Sequence, residues 1–491
     1  MWIVINAIWV YNMTVVTGHF DVLRRSFATV SDDMRVQAII IAFCFGALLE
    51  ALAGFGTPVA ITSVMLIALG FRPIKAATLA LVANTAPVAF GALAVPITTL
   101  AEVTGFSIDE LGALVGHQTP VLALFVPLAL VFIIDGRRGV AQTWLPALVC
   151  GTAFAVAQWL TATYFSVPLT DIVAALVGAL ATVALLRVWH PAQSYSEPAP
   201  EHEEARSGGS RRGGGAGDRA EPAGGGSTSG TATDVGPDAQ PVHDAPAEVA
   251  KAYAPYLVII AIFSIVQIPA LKTALEGEPF TYEFQWPGLE LLTASGDTPT
   301  FTTFAFNWLG AAGTLMIISG LVTMPIIGIS PVKALKAWFD TYRQLATAIV
   351  TVMAVLALAY VMNASGQTVS LGTWMAQAGS AFAVLSPVLG WLGVAVTGSD
   401  TSSNSLFGAL QVTAAQGAGL DPALMAASNS SGGVLGKMIS PQNLAIAAAA
   451  VGMAGREGDL FRKVVGWSIG FLALMCLLVV AQTTVLEWML P

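Results

Sequence analysis

The chain has 491 residues, of which 55% are hydrophobic and only 10% are charged, and its mean hydropathy is +0.73. A soluble domain carries about 25% charged residues, so an ordinary soluble enzyme is excluded and most of the surface must face lipid. The formal charge of −9 and the lack of a clustered basic patch exclude nucleic acid as a partner. Cys44, Cys150 and Cys476 lie in separate apolar runs without metal or disulfide spacing, and we interpret them as small buried hydrophobic side chains.

The apolar runs predict an all-α integral membrane protein. A bilayer core of about 30 Å requires roughly 20 apolar residues per helix, and on this basis we expect about thirteen membrane segments, some too short to span alone. The runs lie near residues 1–18, 36–52, 57–70, 76–100, 119–135, 141–162, 169–189, 253–270, 301–328, 344–362, 381–397, 403–416, 423–450 and 464–488.

Basic residues predict the orientation of these segments. Arg24, Arg35 and Arg187 belong to a set of Lys and Arg that falls in alternate gaps, and such residues are retained on the cytoplasmic side. The remaining gaps include 101–118 and 271–300. Their charged residues are mainly acidic, so we expect these gaps on the outside.

Residues 191–250 interrupt the apolar pattern with a stretch rich in Gly, Pro, Ser and acidic residues. Such a composition offers little to bury, so we predict a disordered linker. Basic residues flank it on both sides, which places the linker in the cytoplasm between two membrane halves, 1–190 and 251–491. No cleavable signal peptide is recognisable before the first segment.

Two stretches share the spacing Asn, six residues, Gly, four residues, Pro. They are Asn84, Gly91 and Pro96 in the first half, and Asn429, Gly436 and Pro441 in the second. Upstream of each, an apolar run is interrupted by GFGTP at 54–58 or by GSDTSSN at 398–404.

The two copies are expected to have opposite orientations. The copy at 36–100 begins inside and ends outside, whereas the copy at 381–450 begins outside and ends inside. Inverted repeats with broken or re-entrant helices are a recurring transporter plan, with substrate and coupling ions near the midplane.

The breaks supply candidate substrate ligands. A break in a helix leaves backbone N–H and C=O groups without helical partners, and at membrane depth such groups are tolerated only where they are buried in protein or line a cavity. The N-terminus of a helix attracts anions. Small polar side chains near the breaks are candidates for substrate binding, although some of them are expected to bridge helices instead. Together with one lysine discussed next, they are Thr57, Asn84, Thr401, Ser403, Asn404, Asn429 and Ser430.

Three ionisable residues are placed inside the membrane, where charge is costly and therefore a sign of function. Glu50 is a candidate proton carrier or a cap of the nearby break. Asp400 is expected to cap the half helix at the second break, and its alternative role is as a coupling group that takes part in cation coordination. Lys437 is the candidate counter-ion for an anionic substrate, or else the partner of Glu50 or Asp400 in a structural ion pair.

The sequence also resembles the L-lactate permease family. The resemblance lies in FCFGALLEALAGFGTPVAIT at 43–62, ANTAPVAFGALAVPI at 83–97, GSDTSSNSLFGALQ at 398–411 and GGVLGKMISPQNLAIA at 432–447, with weaker similarity along the membrane portion. It implies proton-coupled transport of lactate and glycolate. Family members usually carry about two more helices upstream, so we expect this chain to be short at its N-terminus, and the linker is longer than is usual.

We therefore predict a plasma-membrane secondary transporter, without cofactor or bound metal, that moves L-lactate or a related 2-hydroxy monocarboxylate such as glycolate with a proton. Its partners would be that small anion, protons and the lipid bilayer, and a homo-oligomer is left open. A sodium-coupled carrier of another small organic anion and a membrane sensor that signals through the linker remain as alternatives. A membrane enzyme is disfavoured because all five histidines, among them His19 and His117, are assigned to loops or the linker.

Overall fold

The computed structural model describes residues 2–28, 31–54, 56–196, 244–266, 268–291 and 302–490. These residues form nineteen α-helices and one short β-hairpin. The predicted all-α membrane architecture is therefore confirmed, and the hairpin is a small addition that the hydropathy pattern does not indicate.

The helices of the first half follow one another with short connections. They are α1 (Trp2–Val16), α2 (His19–Ala28), α3 (Met34–Ala38), a π-helix (Ile39–Phe45), α4 (Gly46–Ala53), α5 (Thr57–Ala68), α6 (Pro73–Ala83), a 3₁₀ turn (Val88–Phe90), α7 (Gly91–Thr104), α8 (Ile108–Tyr164), a 3₁₀ turn (Val167–Leu169) and α9 (Thr170–Leu186).

The second half contains the hairpin and ten further helices. They are α10 (Pro246–Val266), α11 (Pro269–Glu276), β1 (Thr281–Gln285), β2 (Thr303–Asn307), α12 (Ala312–Ile326), α13 (Pro331–Ala364), α14 (Gln367–Ala376), a 3₁₀ turn (Gly379–Ala381), α15 (Phe382–Thr397), α16 (Asp400–Ala418), α17 (Pro422–Gly436), a 3₁₀ turn (Lys437–Ile439), α18 (Pro441–Ala450), α19 (Glu457–Gln482) and a 3₁₀ turn (Glu487–Met489). The strands are antiparallel, with Thr281 opposite Asn307.

Among the described residues, six helices are long and apolar enough to cross a membrane, or nine when each of three bent pairs is counted as one span. The bent pairs are α1 with α2, α6 with α7, and the two parts of α13. Many of the shorter apolar runs in the sequence therefore belong to broken or re-entrant segments, since a short helix cannot span about 30 Å alone.

Several predicted gaps are wrong. The expected outside loop 101–118 is reduced to residues 105–107, because α8 begins at Ile108, where the Ser107 side chain accepts a hydrogen bond from the backbone N–H of Glu110. The run at 301–328 begins with β2 instead of a helix, and the gap after residue 362 contains α14.

The two halves pack extensively against each other. Helix α1 lies against α12 and α13, α7 against α16, and α8 against α17. The two glycine breaks, at 54–56 and at Gly398, lie between these packed helices. The core is therefore built from both parts of the chain. The division into two membrane halves, 1–190 and 251–491, stays a prediction that describes only their order along the chain.

The two repeat copies contain the same order of elements. Each copy has four helices, α4 to α7 in the first and α15 to α18 in the second. The first helix ends at a glycine break, the third begins with proline, and a 3₁₀ turn connects the third helix to the fourth. The matched asparagines differ, however, because Asn84 follows the last residue of α6 whereas Asn429 lies inside α17. The opposite orientation of the copies remains a prediction.

Arg35, which the sequence places in a cytoplasmic gap, is buried in the structure, while its side of the membrane stays a prediction. Its side chain is only 1% exposed and forms ion pairs with Asp33 at 2.7 Å and with Asp135 at 3.0 Å. It also donates a hydrogen bond to the carbonyl oxygen of Gln193, which fastens the chain after α9. A buried arginine is tolerated when it is paired and hydrogen-bonded in this way.

The predicted linker 191–250 falls largely outside the described residues. Its two ends, 191–196 and 244–250, are described; the first is hydrogen-bonded to Arg35 of α3 and the second to Arg25 of α2. At the far end Arg25 forms a bidentate pair with Asp244, at 2.8 and 2.9 Å, before α10 begins. This pair raises the pKa of Arg25 and lowers that of Asp244, chiefly through the hydrogen bonds between them.

Candidate substrate site

The first break places the α5 N-terminus inside the protein. Gly54 and Gly56 both adopt positive φ, at 42° and 83°, which side chains other than glycine rarely adopt. A Cβ atom on Gly56 would also collide with Ile446. Helix α5 then starts at Thr57 without a side-chain cap. The N–H of Thr57 donates to the carbonyl oxygen of Gly54 at 3.0 Å and Pro58 has no N–H, so the terminus offers an anion the positive end of the helix dipole and the N–H groups that follow Pro58.

The second break places the N-terminus of α16 in the same interior region as the N-terminus of α5. Gly398 adopts φ of 74°, and Ser399 caps the helix by accepting a hydrogen bond from the N–H of Ser402 at 3.2 Å. The predicted cap, Asp400, therefore does not cap the helix. Its carboxylate instead accepts a 2.6 Å hydrogen bond from the hydroxyl of Ser430.

Glu50 and Lys437 form a buried ion pair across the two halves of the chain. The Lys437 Nζ atom lies 2.5 Å from Glu50 Oε1, and the residues are 3% and 6% exposed. Asn84 donates to the other carboxylate oxygen at 2.9 Å. The sequence left two roles open for Lys437, and the structure shows that it is the partner of Glu50.

Glycines make room for both buried carboxyl groups. A Cβ atom on Gly91 would lie 2.8 Å from Glu50 Oε1, and a Cβ atom on Gly433 would collide with Asp400 Oδ1. After Gly91, residues 92–94 adopt left-handed φ angles of 46° to 60°. This conformation costs about 1–2 kcal/mol per residue, so strain is concentrated beside Glu50.

Behind the second break, buried amides form a continuous hydrogen-bonded chain. Gln411 donates to Asn429 at 3.0 Å, Asn429 donates to Asn404 at 2.9 Å, and Asn404 donates to Ser430 at 3.1 Å. Asn404 also donates to the carbonyl oxygen of Pro96 at 3.0 Å, which joins the two repeat copies. These side chains have their polar groups committed to one another, as is typical of a structural network.

A cavity of about 500 Å³ lies between the two breaks. Its polar and charged lining comes mainly from both repeat copies, and α1 and α13 complete the wall. The lining residues are Val4, Ile8, Glu50, Gly54, Thr57, Val88, Gly91, Ala92, Val95, Pro96, Gln344, Leu345, Thr347, Thr351, Thr397, Gly398, Ser399, Asp400, Thr401, Ser402, Lys437 and Gln442. A three- or four-carbon acid would occupy only part of this volume.

The structure divides the predicted site residues into two groups. Glu50, Thr57, Asp400, Thr401 and Lys437 line the cavity. The other five do not line the cavity. Each of them is hydrogen-bonded either to a lining residue or within the amide network behind the second break. They are Asn84, Ser403, Asn404, Asn429 and Ser430.

Sequence reasoning missed some lining residues and one buried acid. Gln344, Thr347 and Thr351 lie on α13, outside both repeats, so the repeat pattern gave no signal for them. Asp171 is fully buried on α9, and an acid inside the apolar run 169–189 was a signal that could have found it.

The assignment of His117 and His19 to loops is wrong. His117 lies within α8, where its Nδ1 contacts the carbonyl oxygen of Ala113 at 2.6 Å and its Nε2 accepts from the indole N–H of Trp159 at 3.0 Å. Both ring nitrogens are occupied as in a neutral imidazole. His19 is the first residue of α2 and is buried.

The bundle of apolar helices, its two glycine breaks and the charged cavity between them are those of a multi-pass helical membrane transporter. The sequence profile of the L-lactate permease family matches residues 1–486. The chain belongs to this family, whose members are transporters of the plasma membrane and not enzymes.

Individual relatives agree with the family match. The L-lactate permease of Bacillus subtilis (strain 168) is 40% identical over all of this chain and 86% of that protein. The L-lactate permease of Escherichia coli (strain K12) is 39% identical, and the glycolate permease GlcA of the same strain is 40% identical, each over all of this chain and 85% of the relative. No solved structure matches this chain.

Proposed function

We propose that this protein transports L-lactate and glycolate as anions together with one proton each. The family and the names of the relatives support the substrate class, since both substrates are small 2-hydroxy monocarboxylates. The buried Glu50–Lys437 pair beside the cavity is the observation that carries the proton coupling.

The proposed coupling follows from charge balance. Glu50 and Lys437 together are neutral, so an anion that entered alone would leave an uncompensated charge in a buried site, which is strongly unfavourable. A proton on Glu50 releases the ammonium of Lys437, which then pairs with the substrate carboxylate. The loaded site is again neutral, and one anion moves with one proton.

Two further features support binding of a hydroxy acid. The uncapped N-terminus of α5 at Thr57 favours the carboxylate. Asp400 lines the cavity, and its Oδ1 atom is buried beside Gly433 without a hydrogen-bond partner among the described residues. We propose that it accepts a hydrogen bond from the 2-hydroxyl, a role different from the coupling role that the sequence suggested.

Counterflow of labelled L-lactate in proteoliposomes tests this proposal. Unlabelled lactate and glycolate should compete, while propionate, which lacks the hydroxyl, should compete at least about tenfold less well, since leaving Asp400 unpaired costs about 1–3 kcal/mol. Equal competition by propionate would refute the role of Asp400.

An imposed pH gradient, acid outside, should drive uphill uptake that is unchanged when sodium is replaced by potassium. Uptake that requires sodium would instead support a sodium-coupled carrier.

A further inference from the structure

A second buried acid lies behind the cavity wall, on α9. Asp171 is 0% exposed, and its Oδ1 accepts a 2.9 Å hydrogen bond from the side-chain amide of Gln158. Its Oδ2 is buried without a hydrogen-bond partner, and no cation pairs with Asp171 in the part of the chain that the structure describes. An isolated ionised carboxylate in such a place is far costlier than a neutral acid.

Hydrogen bonds connect this acid to the Glu50 site. The Gln158 amide that holds Asp171 also donates to the carbonyl oxygen of Ala86 at 3.4 Å. Ala86 belongs to the short break after α6, two residues beyond Asn84, which donates to Glu50. The two acids are therefore fastened to the same non-helical segment.

Electrostatics links the same two groups. Helices α4, α7, α8 and α10 and the π-helix pack against α9, and of their titratable groups it is Glu50 whose field acts on Asp171. Two carboxyl groups that feel each other disfavour a second negative charge, so a proton gained by one is more easily lost by the other.

Asp171 lies towards the end of the bundle that is expected outside. Helix α8 is broken at Asp135 and Gly136, whose φ/ψ angles are not helical, so the predicted segments 119–135 and 141–162 lie on the two sides of this break and the chain returns to the outer side before α9. It stands in the first turn of α9, just after the α8–α9 connection, where Tyr164 and Phe165 are exposed. The hydroxyl of Thr163, in the last turn of α8, and that of Ser166, in the connection, are also buried without hydrogen-bond partners among the residues that the structure describes. Unpartnered buried polar atoms of this kind are typical of positions where water binds.

We propose that Asp171 is a proton-binding group on the outer side of the cavity, which supplies the proton that Glu50 takes up; this rests on the proton symport proposed above. The O–H bond at Asp171 Oδ2 breaks and an O–H bond forms at the Glu50 carboxylate, with water carrying the proton between them, and this releases Lys437 for the substrate carboxylate. Asp171 then regains a proton from the outer solution.

Two transport modes in proteoliposomes test the proposal. Counterflow needs no net proton movement, whereas uphill uptake driven by a pH gradient does. Asp171→Asn keeps the size of the side chain and its acceptor for Gln158, and it should lower gradient-driven uptake at least about tenfold more than counterflow. Thr182→Val, which removes a buried hydroxyl on the same helix, is the matched control and should affect both modes equally.

Infrared difference spectroscopy provides a readout that a structural role would not move. The wild-type protein should show the carbonyl band of a protonated carboxylic acid, and Asp171→Asn should lack it. If that variant does not fold, Gln158→Met keeps the acid but removes the bridge, and it should show the same selective loss of gradient-driven uptake.

Equal loss of both transport modes, or a variant with the wild-type response to the pH gradient, would overturn the role of Asp171 while leaving symport intact. A wild-type protein that transports lactate without any response to the pH gradient would overturn the symport proposal, and this inference with it.

Discussion

The substitution Glu50→Gln tests the coupling most directly, because glutamine has the shape of the protonated acid but cannot ionise. In the wild-type protein the Glu50 carboxylate holds Lys437 at 2.5 Å. At an effective dielectric constant of about 20, two unit charges about 4 Å apart interact by about 4 kcal/mol. The substrate carboxylate must overcome this attraction unless Glu50 is protonated.

The magnitude follows from linkage between the proton and the anion. Under the proposed coupling each bound anion takes up one proton, so the lactate Kd should rise about tenfold for each unit by which the pH rises, which is about 1.4 kcal/mol. Glu50→Gln should bind with a Kd that does not change with pH, because lysine is always available.

The assay is binding of labelled L-lactate to purified protein across a range of pH, followed by transport. Glu50→Gln should retain counterflow but lose accumulation driven by a pH gradient. Glu110→Gln, which changes an exposed acid at the start of α8, is the control and should keep the wild-type slope. A Glu50→Gln protein whose Kd still rises tenfold per pH unit would refute the reasoning, since the linked proton would then bind elsewhere.

Two further predictions concern packing and a surface ion pair. Gly91→Ala should lower lactate transport at least about tenfold, because its Cβ would lie 2.8 Å from Glu50 Oε1 and displace the carboxylate. At any pH above 3.8, the ordinary pKa of aspartate, the Arg25–Asp244 pair should hold α2 and α10 together. The pair should weaken as the pH falls through the pKa of Asp244 in the folded protein, which lies below 3.8. Spin-label distances between these helices should broaden on acidification, and Asp244→Asn should be broad at every pH.

Each of these has a matched comparison. Gly466 lies on α19 with open space around its Cβ position, so Gly466→Ala should leave transport close to wild type. Wild-type uptake by Gly91→Ala would show that Glu50 does not need its present position. A spin-label distance in Asp244→Asn that narrows at neutral pH would show that the ion pair does not fasten α10.

The parts of the site that could be predicted from sequence are those with a local signal. Gly54, Gly56 and Gly398 interrupt apolar runs, and residues other than glycine rarely adopt the positive φ angles found there. Glu50, Asp400 and Lys437 could be singled out because a charge inside an apolar run is costly. All three line the cavity.

Local signals failed where a residue's partners come from distant segments. Arg35 has the sequence context of a loop residue, yet Asp135, one hundred positions away, helps to bury it. Asn429 belongs to the repeat pattern and Asn404 to the second break, but Asn429 donates its amide to Asn404, and neither side chain lines the cavity.

The sequence by itself determined that this chain is a membrane protein of broken helices with a few buried charges, because hydropathy and helix breaks depend on neighbours along the chain. Only the tertiary structure decided that Glu50 pairs with Lys437, 387 residues later, that α13 closes the cavity and that Asp171 is linked to the same break. Ion pairs and enclosed volumes depend on which distant helices pack together, and local sequence patterns do not specify that choice.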